Sequence, residues 1–270
     1  MKKNTIFIFL LMGIISGITG IILGLITHYL SKFDYYIVTN YPNSTSLNTT
    51  NTSLDITVTS SPIEINTSTI KNDLENGKTD KAYNEAKNYF EKHPNDYWGC
   101  QLLGNSLFQL QKYSEAITIF QKCITLAPSK NELGIIYDLI SKTYISQNNL
   151  QSAEQYATLA IQNNPNYSPA YNTLALIYYK NKKFEEAIKY FTKALILLSN
   201  KDDYTSFFNK IVLNLNLVQS YYNLKDYSQA QKYLKITQEM IQNNTYQIPN
   251  ILKEKINDLN NKLKNTTLNK

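Results

Sequence analysis

The chain contains no arginine. Its 27 basic residues are all lysine, set against 21 acidic ones, for a formal charge of +6. Arginine grips phosphates and base edges in bidentate fashion, whereas a lysine ammonium is a point charge. With lysines interspersed among Glu and Asp, the basic balance reads as a solvated surface and argues against a specific nucleic-acid reader. Histidine occurs twice, as His28 inside an apolar run and His93 before Pro94. There is no Gly-rich phosphate loop and no nucleophile motif, and no carboxylate pair stands out from ordinary helical surface charge. Glu185 and Glu186, beside Lys182 and Lys189, read as solvated partners one helical turn apart. These absences leave catalysis without support, and no cofactor, metal or small-molecule substrate is expected. The two cysteines, Cys100 and Cys123, have no metal-ligand spacing. Their first reading is as two small buried apolar residues on facing helices. A disulfide between those helices is the alternative.

Glycine is also scarce, and Gly13, Gly17, Gly20 and Gly24 are half of the 8 present. They lie in an uncharged run from Thr5 to Leu30, interrupted only by His28. At about 1.5 Å per residue such a run spans a hydrocarbon core of roughly 30 Å. A cleaved signal has a shorter core of roughly 7–15 residues and a small-residue cleavage site. Neither applies, and no nearby cysteine could accept a lipid. Residues 1–33 are therefore expected to form an uncleaved membrane anchor. Lys2 and Lys3 against Lys32 place the N-terminus in the cytoplasm and the rest on the opposite face. The Gly13/Gly17 and Gly20/Gly24 pairs suit close helix packing in lipid, although small residues are common in any membrane helix.

Residues 34–66 are rich in Ser, Thr and Asn, with no helical period, and read as a disordered linker. The N-x-S/T triplets at Asn43, Asn48, Asn51 and Asn66 arise readily by chance in such a tract.

Beyond this point apolar residues are abundant and periodic. Tyr97 to Pro128 reads as two amphipathic helices and a tight turn. Leu103, Leu107 and Leu110 keep helical spacing, Gln111-Lys112 breaks it, and Ala116, Ile119, Phe120 and Cys123 resume it. Gly104 is expected to face Ala116 across the hairpin, and Pro128 to stop the second helix. The pattern returns as Ile140, Ser141, Tyr144, Ala153, Ala157, Ala160 and Pro165. It returns again as Leu174, Ala175, Tyr178, Ala187, Phe191 and Ala194, and then as Leu217, Val218, Tyr221, Ala230 and Leu234. An earlier, weaker copy holds Ala82, Ala86, Tyr89 and Pro94, preceded by a short helix near Ile70 and Leu74. A further column, Tyr113, Leu150, Phe184 and Tyr227, stands three residues before each central alanine as an apolar plug for the turn. One hairpin cannot bury its own apolar face, so the copies must stack.

This pattern resembles the tetratricopeptide repeat family, most clearly over Tyr171–Leu198. The resemblance implies an all-α solenoid of four to five hairpins over residues 67–246. A C-terminal capping helix and tail follow over 247–270, where Leu252, Ile256, Leu259 and Leu263 share one face. The fourth copy carries Val218 and Thr237 at small-residue columns and is preceded by about nine extra residues.

In such a solenoid the first helix of each pair lines a concave surface. The register puts four columns there. They are Trp98, Ile135, Pro169 and Val212; Gln101, Asp138, Asn172 and Leu215; Asn105, Lys142, Leu176 and Gln219; and Phe108, Ile145, Tyr179 and Tyr222. Apolar rails around a mixed polar floor suit a peptide, so Trp98, Gln101, Asn105, Phe108, Asp138, Lys142, Asn172, Tyr179, Gln219 and Tyr222 are the expected partner contacts. The competing reading packs part of the last column within the stack and has Trp98 cover the N-terminal end. Some family members grip a carboxylate terminus with Lys and Asn. Asn105 matches one such position, but Gln101 and Leu139 stand where the clamp would want Lys and Asn. The expected function is a membrane-tethered module that binds a protein or peptide in the groove. The alternatives are an assembly factor for a photosynthetic or envelope membrane complex and a self-associating scaffold.

Overall fold

Among the described residues, five with left-handed backbone punctuate the chain: Gly77 (φ 71°), Gln111 (61°), Asn148 (58°), Lys182 (59°) and Lys225 (61°). Their spacing reproduces the repeat interval read from the side chains. Each carries the same pair of backbone bonds. At the first complete turn Gln111 N–H donates to Phe108 C=O at 2.9 Å and Lys112 N–H to Leu107 C=O at 2.9 Å. The equivalent pairs end the other four first helices, as Gly77/Lys78, Asn148/Asn149, Lys182/Lys183 and Lys225/Asp226. These bonds satisfy the carbonyls that a helix end leaves free and turn the chain back on itself.

The structure, a computed structural model, describes residues 66–268. The expected anchor, with Gly13, Gly17, Gly20 and Gly24, and the linker up to residue 65 lie outside the described residues. Among the described residues there are eleven helices and no strand. Five hairpins run in order: α1 (Thr67–Glu75) with α2 (Thr79–Lys92), α3 (Tyr97–Gln109) with α4 (Tyr113–Leu126), α5 (Lys130–Ser146) with α6 (Leu150–Asn163), α7 (Ser168–Lys180) with α8 (Phe184–Leu197), and α9 (Tyr204–Asn223) with α10 (Tyr227–Gln242). The single helix α11 (Asn250–Leu268) follows.

The plug residues Tyr113, Leu150, Phe184 and Tyr227 are each the first residue of a second helix. Three of them hold an aromatic ring at the end of the first helix: Phe108–Tyr113 at 5.8 Å, Tyr179–Phe184 at 5.5 Å and Tyr222–Tyr227 at 5.5 Å between centroids. Deeper in the hairpins the central alanines Ala82, Ala116, Ala153, Ala187 and Ala230 are fully buried. Stacked tyrosines cross three of the hairpins, Tyr144 on Tyr156, Tyr178 on Tyr190 and Tyr221 on Tyr233. Burial, followed by the bond its hydroxyl makes to Glu154 Oε1 at 2.9 Å, pushes the Tyr178 phenol up to about 12.

Two expectations for the α3–α4 hairpin are revised. A Cβ at Gly104 would stand 2.3 Å from Cε1 of the buried Phe120 ring, so it is Phe120 whose approach Gly104 permits, where Ala116 was expected. Cys100 and Cys123 form a disulfide, with Cα atoms 5.7 Å apart. The antiparallel hairpin sets an early residue of α3 opposite a late residue of α4, and both are fully buried, so the alternative reading is the one realised.

The first helices lie on the inner side of the stack. Contacts of α5 with α7, α1 with α3 and α9 with α11 are more extensive than any between second helices. At the C-terminal end α9 is lengthened to 20 residues, and its Phe207 and Phe208 pack with Tyr246. Leu252, Ile256, Leu259 and Leu263 of α11 are buried, while Lys253, Glu254, Asp258 and Lys262 face water. That division is what a solenoid end needs. At the N-terminal end the carboxylate of Asp73 is buried between Lys81, 2.6 Å away, and Lys78, at 3.5 Å. The hydrogen bond from Lys81 holds the Asp73 carboxyl below its usual range, against the opposing effect of burial, and the same bond raises the Lys81 ammonium.

This packing can be tested in three ways. First, Gly104→Ala should destabilise the domain by about 1–3 kcal/mol through overpacking against Phe120, and Phe120→Leu should recover part of it. Gly77→Ala meets open space but needs left-handed backbone, and should cost about 1–2 kcal/mol. Urea unfolding midpoints measure both, and equal stability of either variant with wild type refutes its account. Second, replacing both Cys100 and Cys123 with Ala should lower stability by about 3 kcal/mol in the chain-entropy account of a loop this size. Third, the depressed Asp73 carboxyl contributes stability that is complete above about pH 4 and lost as pH falls through its lower folded-state value. The raised Lys81 contribution is complete below about pH 10 and lost as pH rises through its higher folded-state value. Asp73→Asn should therefore flatten the acid limb of the stability profile.

Candidate partner-binding groove

The inner faces of α3, α5, α7 and α9 carry the residues expected to meet a partner. Each helix is fixed by its own start. Asp96, Ser129 and Asp203 accept backbone N–H bonds at the beginnings of α3, α5 and α9, as do Asn149 and Asp226 for the second helices α6 and α10. α7 instead has Pro169 in its first turn, where the missing N–H costs nothing.

Trp98, in the first turn of α3, is 52% exposed, its ring edge-on to Tyr97 at 4.9 Å. Its counterparts along the column become more covered: Ile135 and Pro169 are half-buried, and Val212 is buried. Gln101 and Asn105, on the same helix, are half-buried. Asn172 on α7 is half-buried and accepts from Nδ2 of Asn216 on α9 at 3.4 Å. Gln219, also on α9, is half-buried. Asp138 is fully buried, and Nζ of Lys142, one turn on along α5, lies 2.7 Å from its Oδ2. That pair is close in distance but poorly aligned for a hydrogen bond, and neither carboxylate oxygen accepts an aligned one.

The fourth column is placed differently from the other three. Phe108 is buried, and its ring packs on Tyr113. Tyr179 and Tyr222 are half-buried with their rings on Phe184 and Tyr227, and Tyr179 Oη accepts from Asn223 Nδ2 at 2.9 Å. This aromatic rail closes the hairpins, the role that competed with binding in the sequence. Leu176 and Leu215 are buried as well. Of the aromatics in the four expected columns, Trp98, at the α3 end, is the exposed one, and the middle columns supply amides alongside the Asp138–Lys142 pair. Two further amides, Asn216 and Asn223, were missed. They stand one position beyond the expected columns, and their bonds run between neighbouring first helices, a relation that repeat spacing does not reveal.

Among the described residues no group of three or more His, Cys, Asp or Glu is placed to hold a metal ion. No described helix is long and apolar enough to cross a membrane.

Three comparisons with known proteins bear on this geometry. The family model described as the cytochrome c-type biogenesis protein H TPR domain matches residues 87–205. Intraflagellar transport protein 70A of Danio rerio is 23% identical over 188 residues, covering 60% of this chain and 28% of that protein. Tetratricopeptide repeat protein 6 of Homo sapiens is 29% identical over 126 residues, covering 44% of this chain and 22% of that protein. The chain thus spans about a quarter of the length of the curated relatives it matches. Among solved structures, a thermophilic TPR protein of Thermus thermophilus superposes with a TM-score of 0.58 at 15% identity, over 71% of this chain and 95% of that one. At that identity the likeness is one of fold.

Proposed function

The described residues form a tetratricopeptide-repeat domain, a protein-interaction fold, and from that premise we propose that the chain is a membrane-tethered module that binds a protein segment along its inner surface. The observation that carries the reading is Trp98. A large aromatic on an inner-facing helix, 52% exposed, stands beside a floor of uncharged amides. Such rings are the usual anchors of protein interfaces, because they bury a large area at small entropic cost. The uncharged run from Thr5 to Leu30 supports the tether, which raises the effective concentration of the module near the bilayer.

The disulfide bears on which face of the membrane holds the domain. Disulfides persist in oxidising compartments and are rare where thiol reductants circulate. Cys100–Cys123 therefore supports the same side as the lysine imbalance of the anchor, with the N-terminus cytoplasmic and the repeats across the membrane. A second reading has its own support. The family model matched over residues 87–205 takes its description from cytochrome c-type biogenesis, so assembly of a membrane-bound complex is a natural setting for such a binder.

Trp98→Ala should reduce capture of the partner at least tenfold in proximity labelling and pull-down from the native membrane, with the unfolding midpoint unchanged. Tyr179→Ala, by contrast, should lower the midpoint, because its ring supports Phe184. Undiminished capture by the Trp98 variant would place binding elsewhere. For topology, protease added to the cytoplasmic side of sealed vesicles should leave the repeats intact. Alkylation of the denatured chain without reductant should label neither cysteine. Cleavage of the repeats together with labelling of both thiols would put the domain on the reducing side.

A further inference from the structure

Asp138 is the one buried carboxylate on the inner face of α5, and its side chain is fully covered. Its charge is matched by Lys142 Nζ at 2.7 Å from Oδ2, while Oδ1 receives no hydrogen bond from any described residue. A desolvated carboxylate oxygen without a donor is costly, and native proteins rarely keep one without a use. We propose that Oδ1 of Asp138 is a recognition acceptor, filled by a main-chain N–H of an extended, uncharged partner segment lying along the groove. This rests on the reading of the groove as a protein-binding surface.

The chemistry of the site selects the donor. Lys142 already balances the charge, so a second cation would be buried without compensation, and an incoming Lys or Arg is disfavoured. A neutral N–H satisfies Oδ1 and adds no charge. The other first helices carry Gln101 and Asn105 on one side, on α3, and Asn172 and Gln219 on the other, on α7 and α9, all half-buried. Each amide offers both a donor and an acceptor, which matches the alternating N–H and C=O of an extended backbone. The same ion pair also excludes a ligand class. With its ammonium committed to Asp138 and its side chain only 12% exposed, Lys142 is not available to grip a free C-terminal carboxylate. The partner is therefore read through the interior of a chain and not through its end. Because the Asp138 carboxylate is covered, admitting the donor requires a side chain over it to shift, and Lys142, the less covered member of the pair with a flexible stem, is the one able to do so.

The test uses the full chain in detergent and a phage-displayed library of random dodecapeptides. Selected sequences are synthesised with both ends capped, and their affinities are read by fluorescence anisotropy. The expected result is that capped, uncharged peptides bind, and that a single amide-to-ester replacement, which deletes one N–H, weakens one of them at least tenfold. Asp138→Asn should weaken the parent peptide by a similar factor, and the ester should then have no further effect on that variant. The ester series leaves the protein unchanged, so it reads the contact even if Asp138→Asn folds poorly. Peptides that depend on Trp98 but tolerate every ester and bind the Asp138→Asn variant equally would overturn the proposal while leaving the groove reading intact, with water the occupant of Oδ1. Strict dependence on a free carboxylate terminus would overturn it as well. If no peptide is selected at all, the groove reading and this proposal fall together.

Discussion

The left-handed turn is the constraint on which everything else in this domain depends. A helix that continued through residue 111, 148, 182 or 225 would carry its apolar face out of the stack. One residue at positive φ reverses the chain, and the two backbone bonds across it satisfy the carbonyls it strands. Only Gly77 makes that conformation without a steric penalty. The four later turns use Gln, Asn and two Lys, so the strain there is offset by what the reversal allows. In three of the four an aromatic pair seals the turn, and in all four an alanine column lets the two helices come together.

The division of labour between the two helices of each hairpin follows from that packing. The inner helices touch their neighbours two along, and so expose one face to a shared surface. The aromatic residues at the ends of the inner helices pack into the seals, burying Phe108 and leaving Tyr179 and Tyr222 half-buried. The groove is left with one exposed tryptophan and a polar floor.

The hairpin Tyr97–Pro128 joins the fold to the proposed binding surface. Its α3 carries Trp98, Gln101 and Asn105, and the disulfide fastens that helix to α4 through Cys100, among them. Gly104 and Phe120 close the remaining gap. A bond of this kind restrains the helix that carries Trp98, while the other hairpins are held by packing, hydrogen bonds and an ion pair without a covalent tie.

How much of this was legible in the chain depended on range. The period, the alanine columns, the plug residues and the cap helix are local patterns of spacing, and each marks a feature now found in the described residues. The identity of the residue opposite Gly104, the bond between Cys100 and Cys123, and the Asn216–Asn172 contact are relations between helices, set by rotations and crossing distances that spacing alone leaves open. Asp138 and Lys142 illustrate the boundary. Their four-residue interval announces a possible ion pair to any reader of the sequence. Only the stacking of α5 against its neighbours removes the carboxylate from water and leaves one of its oxygens without a donor. By itself, then, the sequence determined that helical hairpins would repeat and stack, because periodicity decides which face must be buried. The tertiary structure decided which side chains remain at the inner surface, because burial is a property of neighbours.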